Sequence, residues 1–242
     1  MAHRGATGTA PENTLAAFWH AFELGADAVE LDVRLSRDAV PVVYHYAYLD
    51  AATTGHGPIW ERSLAELREL RVGGPEGACI PTLSEVLEAL AGRLVLEIEL
   101  KGPEPETIEV VGRLLDGFRP AWEALEVTSY EALLLKAFRQ RCPGVRTALL
   151  VPRSEPWMGL DVVAYTAFQR ARVAGTGVVH LHPSQLAEEV VERLRGGGVE
   201  VHAWDVNTTA AFRLAARLGL AWVTTDQLEQ ALAWRAAAEA TE

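Results

Sequence analysis

The segment ADAVELDVRL (residues 26–35) alternates aliphatic and charged residues in the way expected of a β-strand. The alternation places Glu30, Asp32 and Arg34 on one face and the aliphatic residues between them on the other. Taken alone, this pattern fits a half-exposed strand with a solvated face. In a parallel sheet covered by helices, the same carboxylates need a cationic partner, because an unpaired buried charge is very costly.

The segment VLEIELK (residues 95–101) repeats this arrangement, with Glu97, Glu99 and Lys101 on a shared face. A solvated face is again the simplest interpretation, but acidic pairs on two different strands make it less favoured. Carboxylates without cysteine indicate a hard cation, Mg²⁺ or Ca²⁺. We therefore expect these two strands to face a divalent cation.

Around these two segments the chain alternates between strand-like and helical patterns from end to end. Apolar residues have helical spacing in NTLAAFWHAFELG (residues 13–25) and in TLSEVLEAL (residues 82–90), and Ser63 and Thr82 are expected N-caps. Repeated strand–helix units over 242 residues predict an α/β fold with a parallel sheet, either doubly wound or closed as a (β/α)8 TIM barrel.

The strand count predicts an irregular barrel. A closed barrel has eight strand positions, whereas nine segments are strand-like when MAHR (residues 1–4) is included. The gap from Asp32 to Val42 is too short for a crossover helix, so we expect the irregularity near strands 2 and 3. Residues 47–80 are rich in Gly and Pro with one weak helix, which predicts a loop insertion. We expect residues 1–242 to form a single domain.

Charge and cysteine content limit the partners and the compartment. The formal net charge of −11 argues against nucleic acid and acidic membranes, but allows a small anionic substrate in a cleft with local cations. Two cysteines, Cys79 and Cys142, are too few for a disulfide framework and fit a reducing compartment. The sequence has neither a leader-like segment nor a run of eighteen apolar residues. We expect a cytoplasmic protein without stable membrane insertion.

Polar residues cluster where the predicted strands end, which is where (β/α)8 barrels carry their chemistry. His3 and His45 each end a short strand near an acidic segment, which favours acid–base work over a structural role. Arg4 offers either a bidentate fork for phosphate or a surface salt bridge. Other candidates, of which one late-strand histidine is expected to face the pocket, are Ser129, His180, His182, His202 and Trp204.

The residues just before the first predicted helix have possible local roles. Asn13 fits the N-cap of that helix, and Glu12 fits a charge favoured by the helix dipole. His56, in the insertion, could reach substrate, although the sequence gives no strong reason for this.

The motifs AHRG, PENT, ELD, VVYH, EIELK, VTS, HAWDVN and VTTD occur in this order along nearly the whole chain. Together they resemble the glycerophosphodiester phosphodiesterase family. The combination of HRG, PENT and E-x-D is specific, whereas each motif alone is weak. The resemblance implies a (β/α)8 barrel with a small insertion. It also implies a metal-dependent hydrolase of lipid and glycerol metabolism that converts glycerophosphodiesters to glycerol 3-phosphate and an alcohol.

The resemblance implies catalytic roles for the residues that match these motifs. Glu30, Asp32 and Glu99 would hold the cation, Mg²⁺ or Ca²⁺. His3 and His45 would be the acid–base pair, one deprotonating the nucleophile and the other protonating the leaving oxygen. The nucleophile is either water or the neighbouring glycerol hydroxyl, the second route passing through a cyclic phosphate.

Substrate-binding and supporting roles follow from the same resemblance. Arg4 and Lys101 would contact the phosphate, and Trp204 would line the substrate pocket. Glu12 and Asn13 would support the site from behind the residues that touch substrate. His3 and Arg4 are expected at the barrel rim, clamped by the strands on either side.

This chain departs from the family pattern next to one histidine, and the departure keeps two other functions open. Tyr46 stands where the family usually has Asp, which removes a charge beside His45, and Ala51 stands where Arg is common. A non-catalytic binding relative is one alternative, although both histidines and all three carboxylates are present. The other is a lysolipid phosphodiesterase resembling phospholipase D, which needs an apolar landing surface such as the aromatic residues of HYAYLDAATTGHGPIW (residues 45–60).

Overall fold

Parallel strands form the centre of the computed structural model, which describes residues 1–74, 76–102 and 104–239. The strands of this described chain are β1 (Ala28–Leu35), β2 (Pro41–Val43), β3 (Val95–Leu100), β4 (Leu125–Ser129), β5 (Arg146–Leu150), β6 (Val178–Leu181) and β7 (Glu200–Ala203). Their order in the sheet is β2-β1-β3-β4-β5-β6-β7. The pairs from β1 through β7 are parallel, and the pair of β1 with β2 is antiparallel.

Two short segments from opposite ends of the chain close this sheet into a barrel. Ala2 forms parallel bridges with both Val29 of β1 and Thr225, while Val223 bridges to Ala203 of β7. The backbone amide of His3 donates to the carbonyl of Thr225 at 3.0 Å. These two segments complete the eight positions together with β1 and β3–β7, so the predicted (β/α)8 barrel is confirmed.

Strand β2 is the ninth strand-like segment and lies outside the ring. It folds back along β1 with Val33 opposite Val43, which confirms the irregularity predicted near strands 2 and 3. After the strand, the amide of Tyr44 donates to the carbonyl of Asp32 at 2.9 Å. This antiparallel return brings His45 back to the level of the carboxylates on β1.

Helices cover the outside of the barrel. In the described residues they are α1 (Leu15–Glu23), α2 (Leu64–Arg68), α3 (Leu83–Leu90), α4 (Glu106–Asp116), α5 (Ala132–Arg141), α6 (Leu160–Ala174), α7 (Glu188–Gly196), α8 (Thr209–Arg217) and α9 (Leu228–Glu239). None of the helices in this part of the chain is long and apolar enough to cross a membrane.

The observed helix N-caps match the sequence-based predictions at two positions and differ at one. Ser63 and Thr82 each form a capping box with the glutamate three residues later. The N-cap of α1 is Thr14, whose hydroxyl accepts from the amide of Ala17, so the expected cap at Asn13 is wrong. Asn13 has a left-handed backbone, with φ of 57°, and its side chain points into the barrel instead.

The main apolar core lies between the outer faces of the strands and the inner faces of the helices. Phe18 of α1 and Phe138 of α5 are fully buried there against strand residues such as Leu31, Leu96 and Ile98. This placement leaves the charged alternate positions of the strands facing into the barrel.

The insertion between β2 and α3 has a small apolar cluster of its own. Its buried side chains, which pack with Val42 of β2, are Tyr44, Leu49, Ile59, Leu67, Val72 and Ile80. The segment contains α2 and two 3₁₀ turns, Leu49–Ala51 and Ile59–Glu61. Because its ends are at His45 and Ile80, this segment lies beside the carboxyl end of β1.

Candidate active site

A cavity of about 170 Å³ opens at the carboxyl ends of the barrel strands. Its lining residues are His3, Arg4, Glu30, His45, Glu97, Glu99, Lys101, Tyr130, Leu150, Trp204, Asp205 and Thr224. Seven of the ten residues predicted to form the site lie in this wall. The other three, Glu12, Asn13 and Asp32, lie directly behind it, where they contact the lining residues Arg4 or Lys101.

The turn after Ala2 holds Arg4 over the cavity. Arg4 and Gly5 both have left-handed backbones, with φ of 55° and 89°. Gly5 packs so closely on α1 that an added Cβ would lie 2.7 Å from the backbone carbon of Ala17. Only a residue without Cβ fits this approach, so Gly5 fixes the direction in which Arg4 leaves the barrel.

Arg4 is held by carboxylates on three sides. Its Nη1 donates to Glu12 Oε2 at 3.0 Å, and its Nε is 3.1 Å from Asp32 Oδ2. Its backbone amide donates to Glu30 Oε2 at 3.1 Å. Glu12 thus acts on the cavity through Arg4, and the guanidinium has a fixed orientation in which further donors remain for a ligand.

Glu30, Asp32 and Glu99 converge at the floor of the cavity. One carboxylate oxygen of each lies within 4.8 Å of the others, and all three side chains are buried. Glu30 Oε1 and Glu99 Oε1 have no hydrogen-bond partner among the described residues. Buried acceptor oxygens that converge without donors suit a hard divalent cation, so these residues fit such a group.

Asp32 is the carboxylate with the most complete set of partners. Lys101 Nζ is 3.1 Å from its Oδ1, and Asn13 Nδ2 donates to its Oδ2 at 2.7 Å. Burial opposes ionisation, but Lys101 and Arg4 together hold the pKa of Asp32 below its ordinary value. Asp32 is therefore a fixed negative charge between the two cations.

The pKa values of Glu30 and Glu99 are shifted in the opposite direction to that of Asp32. Burial raises the pKa of Glu30 well above its ordinary value, and the nearby Asp32 adds to the effect. Burial raises the pKa of Glu99 to about 7, although Lys101 Nζ lies only 2.7 Å from its Oε2. Additional positive charge beside them would favour the ionised form of both groups at neutral pH.

His3 is oriented by residues from the last part of the chain. Its Nδ1 is 2.6 Å from Asp226 Oδ1, and this hydrogen bond lowers the pKa of Asp226. Asn207 holds Asp226 in turn, because its Nδ2 donates to Asp226 Oδ2 at 2.6 Å. An ionised Asp226 fixes the N–H on Nδ1 of His3 and leaves Nε2 for the cavity.

His45 is in a drier and more cationic environment. Burial lowers its pKa to about 3, and Lys101, Arg4 and Arg34 further oppose its protonation. The backbone carbonyl of His45 accepts from Arg34 Nε at 2.9 Å, which anchors the residue to β1. His45 is consequently a neutral imidazole at physiological pH.

Tyr46 follows His45, at the position where the family that the motifs resemble usually has Asp. Its ring meets that of His45 edge to face, with centroids 4.6 Å apart. Burial raises the pKa of its hydroxyl, which also hydrogen-bonds with Glu12 and Arg4. Tyr46 therefore contacts both the acid–base candidate His45 and the phosphate-binding candidate Arg4.

Aromatic residues form one wall of the cavity. Trp204 packs between Tyr130 and His182, with ring centroids 6.1 Å and 5.2 Å away. The indole Nε1 of Trp204 is buried and has no hydrogen-bond partner in the described chain. Lys101 Nζ lies 5.9 Å from the centre of the Tyr130 ring. This wall can cover an organic group and offer it one N–H donor.

Other sequence candidates lie away from the cavity. The hydroxyl of buried Ser129 donates to the carbonyl of Leu100 at 2.9 Å, and Ser129 is not among the lining residues. His56 is exposed and pairs with Asp50 at 2.8 Å. His180 and His202 are buried deeper in the barrel, and neither they nor His182 is among the lining residues, so the expectation that one late histidine faces the pocket is wrong.

Several site residues were absent from the sequence-based set. They are Glu97, Tyr130, Leu150, Asp205, Thr224 and Asp226. Strand alternation marks Glu97 as sharing the face of Glu99, and Asp226 ends the VTTD motif, so both signals were present in the sequence. Tyr130 and Leu150 carry no polar pattern, and their place at the cavity follows from the barrel alone.

A closed (β/α)8 barrel with titratable and basic side chains gathered at the carboxyl ends of its strands defines a barrel enzyme. Residues 3–230 match the model of the glycerophosphoryl diester phosphodiesterase family. The chain belongs to this family, which confirms the resemblance found in its motifs and makes it a phosphodiesterase, a hydrolase.

Individual relatives support the same membership. A glycerophosphodiester phosphodiesterase of Caldanaerobacter subterraneus subsp. tengcongensis is 31% identical over 95% of this chain and 94% of its own. The crystal structure of a glycerophosphodiester phosphodiesterase from Agrobacterium tumefaciens is 28% identical, with a TM-score of 0.77 over 94% of this chain and 96% of its own. An Oleispira antarctica phosphodiesterase, solved with its product sn-glycerol-3-phosphate, is 29% identical, with a TM-score of 0.82 over 96% and 94%.

Proposed function

We propose that this chain hydrolyses glycerophosphodiesters to glycerol 3-phosphate and an alcohol with the aid of Mg²⁺ or Ca²⁺. One observation carries the proposal: two basic side chains, two histidines and the buried carboxylates of Glu30 and Glu99 line one cavity at the barrel rim, and Asp32 converges with those carboxylates from behind its wall. The product named for the Oleispira antarctica relative is sn-glycerol-3-phosphate, which agrees with this substrate class.

Glu30, Asp32 and Glu99 would hold the cation, because their oxygens converge and two of them lack donors within the described chain. When bound, a divalent cation supplies positive charge that offsets the negative charge of the phosphoryl oxygens. Ionisation of Glu30 and Glu99 accompanies its binding, since burial otherwise favours their neutral forms.

Arg4 and Lys101 bind and orient the phosphate in this proposal. Both are tied to Asp32, at 3.1 Å each, which keeps the two positive charges side by side facing the cavity. The paired charges favour a transition state in which negative charge increases on the phosphoryl group. Trp204 covers the glycerol moiety and donates its free indole N–H to a hydroxyl or phosphate oxygen.

The different environments of the histidines suggest how they divide the proton transfers. Asp226 accepts the Nδ1–H of His3 and orients its ring, so Nε2 is placed for proton transfer to the leaving oxygen, for which His3 would be the general acid. His45 is neutral, because burial lowers its pKa to about 3, and so has a ring nitrogen able to accept the proton of the nucleophile. That nucleophile is water or the adjacent glycerol hydroxyl.

The test is release of glycerol 3-phosphate from glycerophosphocholine in the presence of Mg²⁺, Ca²⁺ or excess chelator. We expect turnover that chelator abolishes and that one of the two cations restores. Turnover that persists in chelator would contradict the metal requirement. Binding of glycerol 3-phosphate with no turnover of any diester would indicate a non-catalytic relative instead.

A lysolipid phosphodiesterase is the second candidate, favoured by one surface feature. Tyr48 and Trp60 of the insertion are 57% and 42% exposed, and their rings meet at 6.2 Å. A pair of exposed aromatic residues can receive an apolar chain. Cleavage of lysophosphatidylcholine in preference to glycerophosphocholine, lost in Tyr48→Ser and Trp60→Ser, would favour this substrate.

We propose a cytoplasmic location because the chain has two cysteines, too few for a disulfide framework. Cys79 is exposed and Cys142 is buried, and both are free thiols. Free thiols are compatible with a reducing compartment. Labelling of the native protein in intact cells with a membrane-impermeant thiol reagent should leave Cys79 unmodified until the cells are lysed.

A further inference from the structure

A second group of ionisable side chains lies inside the barrel below the catalytic cavity, and the proposed reaction makes no use of it. Glu126 of β4, His180 of β6 and His202 of β7 are all buried. One donor atom of each lies within 4.8 Å of the other two. His180 Nε2 is 3.0 Å from His202 Nδ1 and 3.2 Å from Glu126 Oε1.

The far nitrogens of both imidazoles face carboxylates. His202 Nε2 is 2.9 Å from Glu200 Oε1 and 3.4 Å from Arg146 Nη2. His180 Nδ1 is 3.7 Å from Glu97 Oε1 and has no hydrogen-bond partner in the described chain. A carboxylate hydrogen-bonded to one ring nitrogen, as Glu200 is to His202 Nε2, fixes the N–H there and leaves a lone pair on the other nitrogen. Carboxylates placed in this way commonly orient the imidazole ligands of bound metal ions.

We propose that Glu126, His180 and His202 form a second metal site, which takes Zn²⁺ or a neighbouring first-row dication. The ligand atoms are His180 Nε2, His202 Nδ1 and Glu126 Oε1. Two imidazoles with one carboxylate suit zinc, cobalt or nickel better than they suit Mg²⁺ or Ca²⁺. The site therefore differs in chemistry from the all-carboxylate group at the rim.

The spacing of the donor atoms fits such an ion with little adjustment. A tetrahedral zinc with bonds of about 2.0–2.1 Å separates its ligand atoms by about 3.3 Å. The two separations that involve His180 Nε2, 3.0 Å and 3.2 Å, are slightly shorter than this. An ion at this point would join three strands of the barrel below the wall residue Glu97.

Charge and access also favour a cation. The charged groups around the site in the described chain include three carboxylates, those of Glu97, Glu126 and Glu200, and two cations, the guanidinium of Arg146 and the N-terminal ammonium of Met1. Arg146 Nε binds Glu126 Oε2 at 2.7 Å, so Oε1 is the oxygen directed at the histidines. A cavity of about 100 Å³ at the opposite mouth of the barrel is lined by Glu126, Arg146 and His202 and offers a route from solvent.

In the test, metal is first removed from the full chain, and excess Mg²⁺ is then added to occupy the carboxylate site at the rim. The protein is next titrated with Co²⁺. Four- or five-coordinate Co²⁺ with imidazole ligands absorbs visible light much more strongly than Co²⁺ in six oxygen ligands. We expect one strongly absorbing Co²⁺ per chain, displaced by Zn²⁺, independent of phosphodiesterase activity. A weak six-coordinate spectrum alone would mean that the histidines share a proton and bind no metal, and would overturn the proposal.

Three variants assign the bound ion to its ligands. His202→Gln should abolish the strong absorption, and Glu200→Ala, which alters a half-exposed residue, should weaken Co²⁺ binding by about 10–100-fold. Glu30→Gln is the matched control at the rim and should leave the spectrum unchanged. If Glu30→Gln removes the absorption while Glu200→Ala leaves it, the Co²⁺ is bound at the rim and the second site is disproved. The wild-type and Glu200→Ala spectra decide the matter even if His202→Gln does not fold.

Discussion

His3 Nδ1 lies 2.6 Å from Asp226 Oδ1, so residues 223 positions apart form one hydrogen-bonded pair at the barrel rim. The backbone makes the same connection, because the amide of His3 donates to the carbonyl of Thr225 at 3.0 Å. Barrel closure and orientation of the imidazole are therefore produced by the same two segments. A change that loosens the closure would also misdirect His3.

Replacement of His3 or its partner should impair the chemical step. We expect His3→Ala to lower kcat by about 10²–10⁴-fold, the usual contribution of an acid–base residue. Asp226→Asn should cause a smaller loss, since the histidine remains but its preferred tautomer is no longer fixed. The measurement is kcat for glycerophosphocholine hydrolysis at saturating metal.

The exposed pair of His56 with Asp50 supplies a matched control for that experiment. The distance from His56 Nδ1 to Asp50 Oδ1 is 2.8 Å, but both residues lie in the insertion and outside the cavity wall. Asp50→Asn should leave kcat unchanged. Equal losses in Asp50→Asn and Asp226→Asn would show that the effect of Asp226 is not specific to the site.

Removal of a rim carboxylate should weaken cation binding. Glu30→Gln and Glu99→Gln keep the side-chain volume but remove an anionic oxygen from the convergent group. We expect affinity for Mg²⁺ or Ca²⁺ to fall by at least about 10–100-fold, the loss typical of removing an outer-sphere partner. Calorimetric titration measures this directly. Unaltered affinity in both variants, with Glu109→Gln as the surface control, would place the cation elsewhere.

Stability of the metal-free protein should depend on pH through Glu99. Its pKa is about 7 in the folded protein against 4.5 for the unconstrained group, so the folded state binds the extra proton between these values. The contribution of Glu99 to stability is complete below pH 4.5 and is lost as the pH rises through about 7. We expect the Tm difference between wild type and Glu99→Gln to change across this window, with wild type losing relative stability.

Added Mg²⁺ or Ca²⁺ should reverse that loss. A cation binds the ionised form of Glu99, so its stabilisation should be larger at pH 7.5 than at pH 5. Thermal unfolding with and without metal at the two pH values measures the difference. A metal-induced Tm shift that is equal at both, or larger at pH 5, would contradict the assignment.

Gly5→Ala should disturb both stability and Arg4. Gly5 has φ of 89°, and an added Cβ would meet the backbone of Ala17 at 2.7–2.8 Å. Gly25→Ala is a matched control, because φ there is 84° but nothing lies within 4 Å of the added atom. The backbone penalty alone is about 1–2 kcal/mol. Urea unfolding should show a larger loss for Gly5→Ala, together with a raised KM that the Gly25 variant does not share.

Tyr46 gives a test of the departure from the family pattern. Tyr46→Phe removes the hydroxyl that contacts Glu12 and Arg4 but keeps the ring against His45. Loss of one hydrogen bond of about 0.5–1.5 kcal/mol predicts a KM about 2–12-fold higher, with kcat little changed. Tyr46→Asp restores the usual carboxylate but loses the ring contact. A fall in kcat without a change in KM for Tyr46→Phe would instead place the hydroxyl in the chemical step.

Much of the fold was predictable because it depends on local patterns. Alternation in residues 26–35 and 95–101 identified β1 and β3, and the repeated strand–helix units identified the barrel. The short gap after Asp32 indicated an irregular region, but not that β2 runs antiparallel outside the ring. Asn13 was mistaken for a cap because its amide also fits that local role, whereas its actual partner, Asp32, is nineteen residues away.

Spacing within a few residues was enough to predict the strands, most helices, and the two histidines, three carboxylates and two cations where strands end. Which of these groups meet depends instead on contacts between distant segments. The pairing of His3 with Asp226 and the meeting of Glu126, His180 and His202 depend on closure of the barrel. So do the raised pKa of Glu99 and the lowered pKa of His45, because burial, which is their main cause, exists only when distant segments pack together.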